Sequence, residues 1–246
     1  MARKPAVRSI GSQPREGITR ATAVYEKLRA DIADGLLTPG SKLRVELMCD
    51  KYGVGATPLR EALSRLSAEG LVVRNDLRGF SVAPLNWAEL PILTETRIRL
   101  ETLALKDAIS ARTSDWEDRL VVLHHRLGRT PRSLNEQSHQ PNPEWEALHR
   151  DFHRALLSTC PSRWLLSYCD KLAEEAYRLR QLAASGPSKK RNEHAEHQSI
   201  MNAAIQGDIE LATHLLSAHY QKTEELVSKA AIGSAGKKPQ KSRKLS

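Results

Sequence analysis

Aromatic side chains are scarce in this chain of 246 residues: Phe, Trp and Tyr together make up 4% of it. Large sheets draw heavily on aromatic and β-branched residues, so an all-β architecture is disfavoured. The cysteines, Cys49, Cys160 and Cys169, are odd in number and show no C-x-x-C spacing. They read as reduced thiols of a cytoplasmic protein instead of a disulfide framework. No apolar run approaches the roughly 18 residues that span a bilayer. The basic start Met1-Ala2-Arg3-Lys4-Pro5 has no apolar stretch behind it, so no secretory signal is expected. An internal repeat, a G-x-S-x-G elbow, a P-loop and a dinucleotide fingerprint are also missing, and with them the commoner enzyme signatures.

What the chain has is Leu, Ala and positive charge. The Leu- and Ala-dominated apolar set favours helices packed on helices. The formal charge of +9 is uneven. Residues 1–84 carry 14 Lys and Arg against 9 Asp and Glu, residues 85–232 carry 19 against 20, and 233–246 carry 5 basic residues and no acid. Phosphate contacts supply most non-specific affinity for DNA, so the first part suits a polyanion partner, although a basic balance serves solubility equally well.

Residues 1–18, with Pro, Gly and charge but no periodicity, read as a disordered basic arm, and 232–246 as a disordered basic tail. Between them lie two segments, 19–84 and 87–231. In the first, Val24, Leu28 and Ile32 predict a helix over Ala21–Asp34, and a second follows over Val45–Lys51. Thr57-Pro58, a cap and then a proline at the first helical position, opens a third that reaches about Glu69. Leu71-Val72-Val73 and Phe80-Ser81-Val82 predict a hairpin. Three short helices and a hairpin make a winged helix-turn-helix. On the third helix Leu59, Ala62, Leu63 and Leu66 fall on a core face, which leaves Thr57, Arg60 and Ser64 outward near the end that enters a major groove. Arg60 can bond guanine or phosphate through two nitrogens, while Thr57 and the helix-end N–H groups suit phosphate. In the wing, Gly79 permits close backbone approach and Arg78 can reach the minor groove or the DNA backbone. Any one exposed arginine is more often a solvated charge; the order of the elements carries the reading.

From Trp87 onward the pattern is helical. Helices over 87–111, 114–128, 144–159, 162–184, 191–206 and 208–230 predict an antiparallel bundle of six or seven helices, with a polar loop over Thr130–Pro143. The fold class is therefore mainly α. His149 and His153 stand at i, i+4, the spacing of two ligands to one metal ion from a single helix. His197 and His219 lie on the last two helices, so three helices can aim four imidazoles at one point. His194 is a weak candidate, and His124, His125, His139 and His214 read as ordinary surface or packing residues.

Several of these stretches resemble the N-terminal signature of the GntR family. They are Pro39-Gly40-Ser41-Lys42-Leu43-Arg44, Tyr52-Gly53-Val54, Thr57-Pro58-Leu59-Arg60-Glu61-Ala62-Leu63, Glu69-Gly70-Leu71-Val72 and Arg78-Gly79-Phe80-Ser81-Val82. The resemblance implies a transcriptional regulator, expected to be a repressor, with DNA contacts at Arg44, Thr57, Arg60, Ser64, Arg78 and Gly79. Paired winged helices would make it a homodimer on a short inverted repeat of double-stranded DNA. Relatives usually carry Ser-Arg or Thr-Arg before the Thr-Pro; this chain has Gly55-Ala56, so no arginine reads a base from position 56. Glu46 stands where some relatives place a DNA-contacting arginine.

The second segment resembles the FCD subgroup of that family at Arg97-Ile98-Arg99-Leu100-Glu101, Phe152-His153-Arg154-Ala155-Leu156, Glu196-His197, Gly207-Asp208 and His219. The resemblance implies a divalent metal held by an Asp or Asn and three histidines, beneath a pocket for a small carboxylate effector. His149 occupies the Asp or Asn position, and an all-nitrogen set suits Zn²⁺ or Ni²⁺ over Mg²⁺ or Ca²⁺. The effector-binding candidates are His149 and Arg97. The planar fork of Arg97 matches a carboxylate, and its alternative is an i, i+4 salt bridge to Glu101. A dedicated metal sensor is the competing reading. A metal-dependent hydrolase is disfavoured because Arg150, in His149-Arg150-Asp151-Phe152-His153, stands where H-E-x-x-H needs its Glu. No catalytic residue is expected, nor a membrane, and the place of action is the cytoplasm, at the nucleoid.

Overall fold

A computed structural model describes residues 19–75, 79–135, 140–183 and 191–235. The basic arm over 1–18, the wing residue Arg78 and the tail beyond Ala235 lie outside the described residues. The first helix, α1 (Arg20–Ala33), opens where the Thr19 side chain accepts a hydrogen bond from the Thr22 N–H. The second, α2 (Val45–Tyr52), ends at Gly53, whose φ of 65° is a left-handed turn that costs glycine little. The third, α3 (Ala56–Ala68), starts earlier than its sequence suggests. Gly55 is its N-cap, with no side-chain cap bond, and Thr57 lies within the first turn instead of capping it. Pro58 is tolerated there because the opening N–H groups of a helix have no partner to lose. The first closing bond runs from the Leu59 N–H to the Gly55 carbonyl at 3.3 Å.

The expected hairpin is present as β2 (Val72–Asn75) and β3 (Gly79–Val82), and a third strand, β1 (Lys42–Leu43), pairs with the free edge of β3. The order is β1-β3-β2, antiparallel throughout. Two residues are too short for an alternation pattern, so β1 left no trace in the sequence. Leu59, Ala62, Leu63 and Leu66 are all wholly buried and share one core with Val24, Leu28 and Ile32 of α1 and with Phe80 and Val82 of the sheet. Asp31 ties α2 to α1, accepting from the Tyr52 hydroxyl at 2.6 Å and from the Lys51 ammonium at 2.7 Å.

The chain divides into two compact units, Met1–Leu85 and Asn86–Ser246. After a 3₁₀ turn at Trp87–Glu89, the second unit contains α4 (Leu90–Ser110), α5 (Ser114–Arg129), α6 (Pro143–Leu157), α7 (Arg163–Ala183), α8 (Glu193–Gln206) and α9 (Ile209–Ala235). The expected tail overlaps the last helix: residues 232–235 are helical, and buried Val227 and Ala231 hold this end against the bundle. The expected loop over Thr130–Pro143 contains a small hairpin, β4 (Ser133–Asn135) with β5 (Gln140–Pro141). It is closed by the Ser133 hydroxyl, whose contacts are the Asn135 and Gln140 carbonyls. Leu105, Ile109, Leu120, Phe152, Leu156, Ile200 and Leu216 form the centre of the bundle core. α4 packs on α9 and α7, and α5 on α6 and α8, with the Trp116 indole N–H donating to the Ala155 carbonyl at 2.7 Å. Among the described residues no helix is long and apolar enough to cross a membrane, and all three cysteines are free thiols.

Candidate functional site

The two faces of α3 separate cleanly. Its apolar stripe is buried, while Thr57, Arg60 and Ser64 are exposed, as are Arg44 at the N-cap of α2 and Gly79 at the start of β3. Among the described residues Arg44 and Arg60 form no ion pair, whereas Arg65, also on α3, is spent over the Tyr25 ring at 4.0 Å. Unpaired arginines at an exposed helix start can meet phosphate or a base edge without first breaking a bond within the protein. Gly79 has a φ of 82° and open space where a Cβ would sit, so its turn demands glycine and its backbone is accessible. Glu46 is exposed on α2.

In the bundle, α6, α8 and α9 bring His149, His153, His197 and His219 together, with one ligand nitrogen from each lying within 4.8 Å of all the others. Ring centroids are 4.7 Å apart for His149 and His153 and for His197 and His219, and 5.1 Å for His153 and His219. The Nε2 atoms of His149 and His153 are 3.3 Å apart. Two nitrogens bound tetrahedrally at about 2.0–2.1 Å from one ion would be separated by about that distance. His197 is 1% exposed, and neither ring nitrogen has a hydrogen-bond partner. Such an orphan costs about 1–3 kcal/mol in a folded interior, and a coordinated cation removes the cost. The donor set thus fits a nitrogen-preferring divalent metal. His194 does not join it but stacks on His124, centroids 4.3 Å apart.

Neighbours fix where the hydrogens sit. The Tyr220 hydroxyl donates to the Glu101 carboxylate, so its 3.2 Å contact with His153 Nδ1 must take its hydrogen from the imidazole. His153 Nε2 is left as a lone pair facing the cluster. His219 Nδ1 lies 3.0 Å from Glu196 and 3.1 Å from Arg191 Nη2; the two Nη2 hydrogens go to Glu196 and the His219 carbonyl, so the imidazole donates to Glu196 and its Nε2 is freed in the same way. Both are carboxylate-linked arrangements that orient a metal ligand. Burial would raise the Glu196 pKa, but hydrogen bonds from His219, Arg191 and Lys222 outweigh it and keep the group a carboxylate. Burial, reinforced by the neighbouring imidazoles and arginines, holds His149, His153 and His197 well below the usual histidine value, and burial also lowers His219. All four are therefore neutral and able to ligate near pH 7.

A cavity of about 290 Å³ opens beside this cluster. His149, His153 and His219 line it together with Arg97, Arg150 and Arg180, and Leu90, Leu157, Leu166 and Val227 add apolar wall. Its size is at the small end of ligand pockets, which run to about 1,000 Å³. Arg97 makes the i, i+4 pair, its Nε lying 2.8 Å from Glu101, and its guanidinium, packed 4.2 Å over the Tyr220 ring, also lines the cavity. Sequence patterning missed Arg180, which is paired with Glu146, and the cavity role of Arg150 and Tyr177. Tyr220, Glu196 and Arg150 had a local signal, each directly beside a candidate histidine.

A winged helix-turn-helix followed by a helical bundle is the plan of a DNA-binding transcriptional regulator. Residues 20–82 match the family described as bacterial regulatory proteins, gntR family, and residues 93–222 match the FCD domain. The chain belongs to the GntR family, with a C-terminal domain of the FCD type. It is 37% identical to the uncharacterized HTH-type transcriptional regulator BphR of Paraburkholderia xenovorans (strain LB400), over 83% of this chain and 84% of that one. It is 29% identical to the HTH-type transcriptional repressor GlaR of Escherichia coli (strain K12), over 85% and 96% respectively. E. coli McbR/YncC shares the fold, with a TM-score of 0.72 at 20% identity, over 87% of this chain and 99% of that one. These families and relatives are regulators of transcription and not enzymes.

Two outcomes are expected. Tyr220→Phe removes the acceptor that fixes the His153 tautomer and should weaken Zn²⁺ binding about 10- to 100-fold in competition with a chromophoric chelator, helicity being retained. In metal-free protein the buried imidazoles stay neutral while their unfolded counterparts take up protons below about pH 6.5. Urea-unfolding stability should therefore be level above that pH and fall below it, by up to about 1.4 kcal/mol per pH unit for each such histidine.

Proposed function

We propose that this protein is a homodimeric repressor that binds a short inverted repeat and releases it when a small organic acid enters the bundle cavity beside a divalent ion, Zn²⁺ or Ni²⁺. The observation that carries the sensing half is His197, buried with both nitrogens unpaired at the centre of four convergent imidazoles. His149, His153, His197 and His219 would hold the ion, which when bound supplies a Lewis-acidic position for a carboxylate oxygen. Arg97 would orient that carboxylate with the nitrogens its bond to Glu101 leaves free. On the DNA side, Arg60 reads a base or phosphate at the start of α3. Arg44, Thr57, Ser64 and the backbone at Gly79 fix the protein on the sugar-phosphate chain, and Arg78, which the sequence alone offers, would add a contact of the same kind. Release requires that the acid bind the DNA-free form more tightly than the DNA-bound form.

The same orphaned His197 also favours a second reading, in which the ion itself is the regulatory ligand. One experiment separates the two. A panel of small carboxylic acids is screened by thermal shift, with and without EDTA, and hits are tested for displacement of duplexes selected from a random pool. Stabilisation by an acid that EDTA abolishes, with loss of DNA binding, supports acid sensing; DNA binding that follows Zn²⁺ or Ni²⁺ alone supports the metal sensor. In the same binding assay Arg60→Ala should cost about 1–3 kcal/mol, and an unchanged affinity would remove Arg60 from the interface.

A further inference from the structure

The cavity arginines differ in what already neutralises them. Arg97 is held by buried Glu101 at 2.8 Å, and Arg180 is bound to Glu146, itself buried. Arg154, one turn beyond Arg150 on α6, reaches Asp170 at 2.8 Å. Arg150 has no carboxylate partner among the described residues. Its guanidinium lies over the Tyr177 ring at 4.3 Å, with Arg180 on the same ring at 5.5 Å. Glu224, on the cavity wall, takes a hydrogen bond from Ser228 in its own helix at 2.9 Å and is not joined to Arg150. Packing over a buried tyrosine holds a guanidinium without using its N–H donors, which stay available to a ligand in the cavity that Arg150 lines. Arg150 also follows His149 directly on α6, so one helix presents a metal ligand and an uncompensated cation to the same space.

We propose that Arg150 is a second anion subsite and that the effector is a small diacid, one carboxylate at the histidine cluster and Arg97, the other on Arg150. This rests on the reading of the cavity as a carboxylate sensor and narrows its ligand class. The compact volume, about 290 Å³, suits a short chain between the two acids.

The test is calorimetric titration of the metal-loaded full chain with succinate, glutarate and adipate, each against its monomethyl ester. At least one diacid should bind about 10- to 100-fold more tightly than its ester, the range expected for charge-assisted hydrogen bonds. Arg150→Gln should erase that preference, leaving ester affinity, metal content and melting temperature unchanged, and Arg150→Lys should restore part of it. Esters binding as well as diacids, or a diacid preference that survives in Arg150→Gln, would overturn the diacid proposal and leave carboxylate sensing standing. Binding by neither series would overturn both.

Discussion

Four imidazoles packed against one another inside a helical bundle cannot all satisfy their nitrogens. Each neutral ring brings one donor and one acceptor, and burial holds the rings neutral by making added charge expensive. His153 and His219 find outside partners for one nitrogen, whereas His197 finds none for either. A protein built only for stability would place Leu or Phe at such a point, as it does at neighbouring Phe152 and Ile200. Their convergent nitrogens fit a shared divalent cation, as proposed above, and α6, α8 and α9 bring the four histidines together.

The shell around them extends this logic to the cavity. Glu101 accepts from Arg97 on one oxygen and from Tyr220 on the other, and Tyr220 accepts from His153. The cavity arginine and the buried imidazole are thus joined through two side chains. Glu101 is 2% exposed, and removing either of its partners would leave a buried charge less compensated, at a cost of a few kcal/mol. Under the proposed function, a ligand on Arg97 would act on the carboxylate that also sets the His153 tautomer, and the proposed ligand and metal sites would share one electrostatic circuit.

The DNA-facing side rests on a simpler constraint. One helix must be apolar enough on one face to hold the domain and polar enough on the other to be read, and α3 achieves this in thirteen residues. The departure at Gly55-Ala56 shortens the side chains available at its start. The outward surface there is accordingly Thr57, Arg60 and backbone, and under the proposed function Arg60 is the candidate base reader at that end.

Much of this was legible in the sequence. Leu59, Ala62, Leu63 and Leu66 announced a buried stripe because helical periodicity is a local property, and His149 with His153 announced a shared face for the same reason. The order of predicted helices gave the two segments and placed His197 and His219 where they could join that pair, and family resemblance along the chain supported both. Short-range rules failed where a structure is closed by distant partners. The strand Lys42–Leu43 exists only because β3 offers it an edge, and the helix start at Ala56 follows from backbone bonds more than from the apparent Thr57 cap. Tyr177, Arg180 and Glu146 gave no signal, and the place of Arg150 beside His149 said nothing of its charge, since which arginine is neutralised depends on pairs across α6 and α7 such as Arg154–Asp170 and Arg180–Glu146. Sequence alone determined that this is a two-part regulator with a cationic reading helix and four candidate ligands. Tertiary structure decided that the four meet and, among the described residues, that one is left wholly unpaired and which cavity arginine has no carboxylate partner. Charge compensation is set by distance in space, which only the folded chain defines.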